Sequence, residues 1–175
     1  MATMLLAQEV PPVGGDTLFT DLYSAYDAMS DGMKQLACRL KTVNIYDKGT
    51  TRSRQMGAKV LEPEKPAEAA IHPLIRVHPE TGLRALYIND MGIMGRFDGV
   101  TEAESRPLLE FLLKHATRPE FTCRVQWQVG TLTLWDNRRL MHLAIGDYHG
   151  YRRVMHRITI KGTPTIGVDA SQAAV

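Results

Sequence analysis

The residues best suited to chemistry lie near the end of the chain. In YRRVMHRITI, residues 151–160, Arg153, Met155, Arg157 and Thr159 share one strand face, while Val154, His156, Ile158 and Ile160 share the other. If the arginine face points inward, two guanidinium groups line a cavity and need a carboxylate, phosphate or sulfonate partner. No acidic run nearby supplies one, so a ligand anion is the natural partner. If the Val/Ile face points inward, the arginines are merely exposed, and this strand alone does not decide between the two. His142, in WDNRRLMH, follows a tight polar turn and precedes Arg153 by eleven positions. A lone strand histidine is more often structural than a ligand. A histidine on one strand end with an arginine on the next can, however, place a metal and an anion in one pocket.

The elements that must position these residues are mostly short strands. FTCRVQW alternates strictly, with Phe121, Cys123, Val125 and Trp127 on one face. GTLTLWDN, LMHLAIG and RRVMHRITIKG are further strands bounded by Gly, Asn or Asp. HPLIRVHP, the turn PETG and RALYIND read as a hairpin. Residues 17 to 41 read as helical: Leu18, Leu22, Tyr26 and Met29 fall near helical spacing, and Ser30 caps a second helix carrying Met33, Leu36 and Leu40. Thr101 and Glu104 form a capping box before a helix whose apolar face is Leu108, Leu109, Leu112 and Leu113. Residues 47–70, rich in charge, Gly and Pro, read as a long mobile loop, either a solvated insertion or a lid. The tail 164–175 is small and polar and is expected to fray. We therefore expect a single domain over residues 1–163, mainly β with flanking helices, as a sandwich or open barrel.

The composition narrows the function. The chain has 175 residues, enough for one domain with a real core. Its net charge of +2, from 21 basic and 19 acidic residues, argues against a nucleic-acid partner held mainly by charge. No apolar run approaches a membrane span, and MATMLLAQEV lacks the basic start of a signal peptide. Cys38 and Cys123 make neither a disulfide framework nor a zinc cluster, so a cytoplasmic location is expected.

The ordered set GGDT (14–17), ALYIN (85–89), HATRPEFTCRVQW (115–127), WDNRRLMH (135–142) and YRRVMHRITI (151–160) resembles the taurine dioxygenase family, from about residue 8 to residue 162. The specific part is WDN-x4-H-x10-R-x3-R. That family contains Fe(II)- and 2-oxoglutarate-dependent dioxygenases acting on taurine, alkyl sulfates and phenoxyalkanoates. The resemblance implies a double-stranded β-helix, or jelly roll, lacking its first strands. It implies that Fe(II) and 2-oxoglutarate are bound, that O2 is activated, and that a small anionic substrate is hydroxylated with succinate and CO2 released. It implies that His142 matches the distal histidine of the iron-binding triad. Arg153 and Thr17 match the residues that hold the distal carboxylate of 2-oxoglutarate, and Arg157 matches an arginine near the anionic head of the substrate. An inward arginine face becomes the favoured reading.

The departures from the family pattern matter equally. A facial triad needs two histidines and a carboxylate, and in the family the other two ligands lie in a His-x-Asp motif upstream of GGDT. His78-Pro79-Glu80 has a similar shape but matches the family's hairpin turn, which reads as exposed. Arg96 is displaced by one residue from a family arginine. Met91, Ile93 and Met94 make their segment apolar, as a substrate wall or as core packing. The rival expectation is an inactive truncated fragment or pseudoenzyme that keeps only an anion pocket. An unfinished sheet should also expose apolar surface near Leu5, Val10 and Leu134 and drive self-association into a homo-oligomer.

Overall fold

Strand alternation and helix caps decide where the elements fall. The protein is described from a computed structural model covering residues 1–45, 69–89 and 94–169. In chain order the elements are β1 (Ala2–Glu9), β2 (Thr17–Asp21), α1 (Leu22–Asp27), α2 (Asp31–Cys38), β3 (Lys41–Ile45), β4 (Ala69–Pro73), β5 (Ile75–Val77) and β6 (Arg84–Leu86). They continue with β7 (Met94–Phe97), α3 (Glu102–Ala116), a single 3-10 turn (Pro119–Phe121), β8 (Thr122–Val125), β9 (Leu132–Asp136), β10 (Leu140–Ala144), β11 (Val154–Ile160) and β12 (Ile166–Gly167). Among the described residues the strands form antiparallel three-stranded sheets in the orders β11-β1-β9, β10-β2-β8, β12-β5-β6 and β4-β3-β7. The fold is mainly β with flanking helices, as the sequence implied.

Two of these sheets position the candidate site. On β11-β1-β9 the register pairs Arg157 with Leu5, Leu5 with Thr133, and Thr3 with both Thr159 and Trp135. Thr3, Ala7 and Trp135 on that face are buried. The other face carries Leu6, Leu132, Leu134, Ile158 and Ile160, all exposed, with Leu134 at 60% and Ile158 at 63%. The Ile face points out, and the arginine face lies on the side where Thr3, Ala7 and Trp135 pack. Along β11 itself that side is open: Met155 is half-buried, as is Arg153 just before the strand, and Arg157 and Thr159 are exposed. The exposed apolar surface includes Leu134 as expected, but Leu5 and Val10 are half-buried. On β10-β2-β8, Thr17 and Phe19 share the inner face with Ala144 and His142 opposite them. The Phe19 and Trp135 rings meet edge-on at 5.1 Å, joining the two sheets.

The main apolar core lies to one side, where α1, α2 and α3 pack on β5, β6 and β7 through Leu22, Tyr26, Leu74, Ile75, Leu86, Leu109 and Leu112. This leaves the space between the two site-bearing sheets lined by polar and aromatic groups. The α3 capping box forms as read, with Thr101 and Glu104 exchanging side-chain and backbone hydrogen bonds, and Ser30 caps α2. No helix among the described residues is long and apolar enough to cross a membrane.

Three sequence expectations need correction. Thr17–Asp21 is a strand, not the start of a helix, because Thr17 and Phe19 alternate inward between two partner strands. Helix α1 begins only after Asp21, whose carboxylate accepts the Tyr23 amide at 3.1 Å. Of the tail expected to fray at 164–175, Ile166 and Gly167 pair with Val77 and Arg76, and residues 170–175 lie outside the described residues. His78, read as part of an exposed turn, is 5% exposed. Of the expected loop at 47–70, residues 47–68 lie outside the described residues, and Ala69 and Ala70 pair with Ile45 and Asn44. Met91 and Ile93 also lie outside them. Met94 is core, and Arg96 donates to the Phe97 carbonyl at 3.2 Å.

Candidate anion-binding site

Thr17, the last residue of GGDT, opens β2 with its side chain buried. The Trp127 indole, just beyond β8, donates to Thr17 Oγ1 at 3.0 Å. That bond occupies a lone pair and leaves the hydroxyl hydrogen free to donate elsewhere. Arg153, the residue before β11, arrives at the same place. Its guanidinium lies 5.8 Å from the Trp127 ring centroid and 5.9 Å from that of Tyr148. Arg153 Nε is buried and has no hydrogen-bond partner. A half-buried cation whose Nε is buried with its donor unmet, held beside aromatic faces, is a receptor for a carboxylate or similar anion.

Glycine lets these parts approach. Gly14 and Gly15 have φ of +79° and +76°, a region that side chains disfavour. A Cβ at Gly15 would stand 3.2 Å from Arg153 Cδ. The Gly15 amide donates to Asp147 Oδ1 at 2.7 Å. Asp16 turns away from this side and accepts from Arg124 Nε at 2.6 Å.

His142 lies two residues from Ala144, the partner of Thr17, on the same inner face. Its ring is 5.0 Å from Trp135 and 6.0 Å from Phe19. The residue as a whole is exposed, yet desolvation by the surrounding protein pushes the imidazole pKa down, and the positive charge of Arg157 pushes it further. Both effects favour neutral imidazole, the form that ligates metals. The Arg157 effect also places that guanidinium within electrostatic reach of His142.

The turn between β9 and β10 carries His142 into place and is tied down by charge. Asp136 accepts the Arg138 amide at 2.8 Å, the Arg138 guanidinium at 2.6 Å, and His78 Nε2 at 3.1 Å. Two amides, of Glu80 and Thr81, donate to His78 Nδ1, which fixes the proton on Nε2. Burial alone would raise the Asp136 carboxyl, but the hydrogen bonds from Arg138 and His78 outweigh it and hold it well below the ordinary 3.8. Asn137 completes the brace, accepting from Trp135 Nε1 at 3.0 Å and donating to Thr3 Oγ1 at 2.8 Å. His78 and Glu80 are thus used by Asp136 and Arg138 rather than by a metal.

Thr17 and Arg153 are brought together at Trp127, and His142 and Arg157, both exposed, lie within electrostatic reach of each other beside them. Sequence reasoning missed Trp127, Tyr148 and Asp147 as parts of this site. Their partners lie 110 and 132 residues away for the Trp127 and Asp147 contacts, beyond any local pattern. A cavity of about 460 Å³ opens largely on the opposite face of β10-β2-β8, against Leu18, Thr20, Leu113, Met141 and Leu143; His142 also lines it, but Thr17 and Arg153 do not. Among the described residues no group of three His, Cys, Asp or Glu side chains comes together to hold a metal ion.

Residues 1–159 match the family described as taurine catabolism dioxygenase TauD, TfdA family. The chain belongs to that family. It is 33% identical over 174 residues to an alpha-ketoglutarate-dependent sulfate ester dioxygenase of Pseudomonas putida, covering 96% of this chain and 57% of that protein. It is 33% identical over 165 residues to an alpha-ketoglutarate-dependent 2,4-dichlorophenoxyacetate dioxygenase of Burkholderia sp. (strain RASC), covering 91% of this chain and 53% of that protein. The crystal structure of a taurine dioxygenase from Burkholderia xenovorans superposes with a TM-score of 0.81 at 37% identity, covering 97% of this chain and 56% of that one. The jelly-roll fold class follows from this likeness. The chain spans little more than half the length of these relatives.

Proposed function

We propose that this chain carries the co-substrate anchor and substrate-anion contacts of an Fe(II)- and 2-oxoglutarate-dependent dioxygenase. The substrate class is a small anionic organic molecule: a sulfonate, a sulfate ester or an aryloxyalkanoate. The reaction consumes 2-oxoglutarate and O2, inserts one oxygen atom into a substrate C–H bond, and leaves succinate and CO2. The observation that carries this reading is the buried, unpartnered Nε of Arg153 beside the Thr17–Trp127 pair. Arg153 would grip the distal carboxylate of 2-oxoglutarate and Thr17 would donate its hydroxyl hydrogen to it. Arg157 would meet the anionic head of the substrate, and neutral His142 would serve as one iron ligand. The three relatives, a sulfate ester dioxygenase, a 2,4-dichlorophenoxyacetate dioxygenase and a taurine dioxygenase, support an anionic substrate.

The described residues do not complete a metal site. Of the ligands an iron ion would need, the described residues would supply His142 alone. The same observation favours a second reading: an anion-binding protein without turnover. The two separate on purified protein given 2-oxoglutarate, Fe(II), ascorbate and an alkyl sulfate, sulfonate or aryloxyacetate. Substrate-dependent succinate, abolished by chelator, supports the dioxygenase. Binding of 2-oxoglutarate without succinate supports the second reading, and no binding at all rejects both.

A further inference from the structure

We propose that Asp147 is a positioning residue of the co-substrate pocket, holding the Gly14–Gly15 turn so that Thr17 and Arg153 face one ligand carboxylate. The inference rests on the 2-oxoglutarate reading above. Asp147 Oδ1 accepts the Gly15 amide at 2.7 Å across 132 residues of sequence. A second tie lies beside it, where the Ile145 amide donates to the Asp16 carbonyl at 2.9 Å. These bonds clamp together the two segments that deliver the pocket: residues 14–17, ending in Thr17, and residues 145–153, ending in Arg153.

The fit between the segments is close. The Asp147 carboxylate occupies the space a Gly14 side chain would need, since a Cβ there would stand 2.5 Å from Oδ1. A Cβ at Gly15 would press on Pro11 Cγ at 3.1 Å and Arg153 Nε at 3.3 Å. The turn is thus wedged between Asp147 and Arg153. The direction of the carboxylate matters as much as its position. Asp147 spends its acceptor on a backbone amide, and Arg153 Nε has no partner. Arg153 Nε therefore stays available to a ligand.

The test compares Asp147→Ala, Asp147→Asn and Asp147→Glu, titrated with 2-oxoglutarate by calorimetry, alongside hydrogen exchange at the Gly15 amide. Loss of a charge-assisted hydrogen bond should weaken 2-oxoglutarate binding about tenfold or more in Asp147→Ala and speed Gly15 exchange. Asp147→Asn keeps the Oδ1 acceptor and should bind within about threefold of wild type. Asp147→Glu keeps the charge but is one methylene too long for the space beside Gly14, so it should bind weakly. If Asp147→Ala does not fold, the order of Asn over Glu decides. Wild-type affinity in Asp147→Ala, an Asn variant as weak as Ala, or Glu binding better than Asn overturns the positioning role while leaving the pocket in place. Wild-type protein that binds no 2-oxoglutarate overturns the pocket itself, and the inference with it.

Discussion

Replacing Asp136 with alanine should cost about 3 kcal/mol of stability. The carboxylate is the hub of the β9–β10 turn, and two losses follow its removal. His78 Nε2–H, on a side chain only 6% exposed, loses its acceptor at 3.1 Å, and a buried unsatisfied donor costs roughly 1–3 kcal/mol. Arg138, 12% exposed, loses its contact at 2.6 Å and is left with Glu80, which is 72% exposed and compensates little. A hydrogen bond to a charged group contributes roughly 1.5–3 kcal/mol. Urea unfolding at pH 7, with a slope of about 2 kcal/mol per molar, should show the midpoint falling by about 1.5 M. The pH dependence follows from the sign of the shift. The folded carboxyl sits below its unfolded value of 3.8, so its contribution is full above about pH 5 and is lost as pH falls through the folded value. The gap between wild type and Asp136→Ala should stay constant from about pH 8 to 5 and close below that. A midpoint shift under about 0.3 M, or a gap that widens on acidification, would refute the hub role.

Arg76 and the outer sheet face offer two further tests. Arg76 is 2% exposed, stacks 4.7 Å from the Tyr87 ring, and leaves Nε and Nη1 without partners. Arg76→Met should therefore stabilise the protein by roughly 1–3 kcal/mol in urea unfolding, and a destabilised variant would show that the guanidinium is needed where it is. The apolar face of Leu6, Leu132, Leu134, Ile158 and Ile160 should drive concentration-dependent self-association in sedimentation velocity, and Leu132→Lys with Leu134→Lys should abolish it. A wild-type chain that remains monomeric over the series would contradict this.

What could be read from the sequence divides by distance along the chain. The Thr101–Glu104 capping box, the Ser30 cap and the β5–β6 hairpin are local signals, set by residues a few positions apart, and the structure contains all three. Thr17–Asp21 misled because Leu18, Leu22 and Tyr26 keep a four-residue spacing across a strand-to-helix junction. Only the partner strands β8 and β10 show that Thr17 and Phe19 obey a period of two. The strand pattern of Arg153 and Arg157 left their direction open, and the resemblance to a family tipped it inward. The register of β11 on β1 puts Arg157 on the same face as the buried Thr3 and Ala7, while Arg157 itself is exposed and Arg153 half-buried. The contacts that shape the pocket, Trp127 to Thr17 and Asp147 to Gly15, join residues more than a hundred positions apart. Neither residue carries a local mark of its role.

Calorimetric titration with 2-oxoglutarate decides whether Arg153 and Thr17 form a receptor for one carboxylate. Wild type should bind, and Arg153→Ala should lose at least about a hundredfold in affinity, since it removes the charge and both donors of a bidentate pair. Arg153→Lys should recover only part of it, because an ammonium cannot present the planar fork. Arg157→Ala should leave 2-oxoglutarate affinity within about threefold, its place being at the substrate. Unchanged affinity in Arg153→Ala, or a larger loss in Arg157→Ala, would show that the carboxylate is held elsewhere.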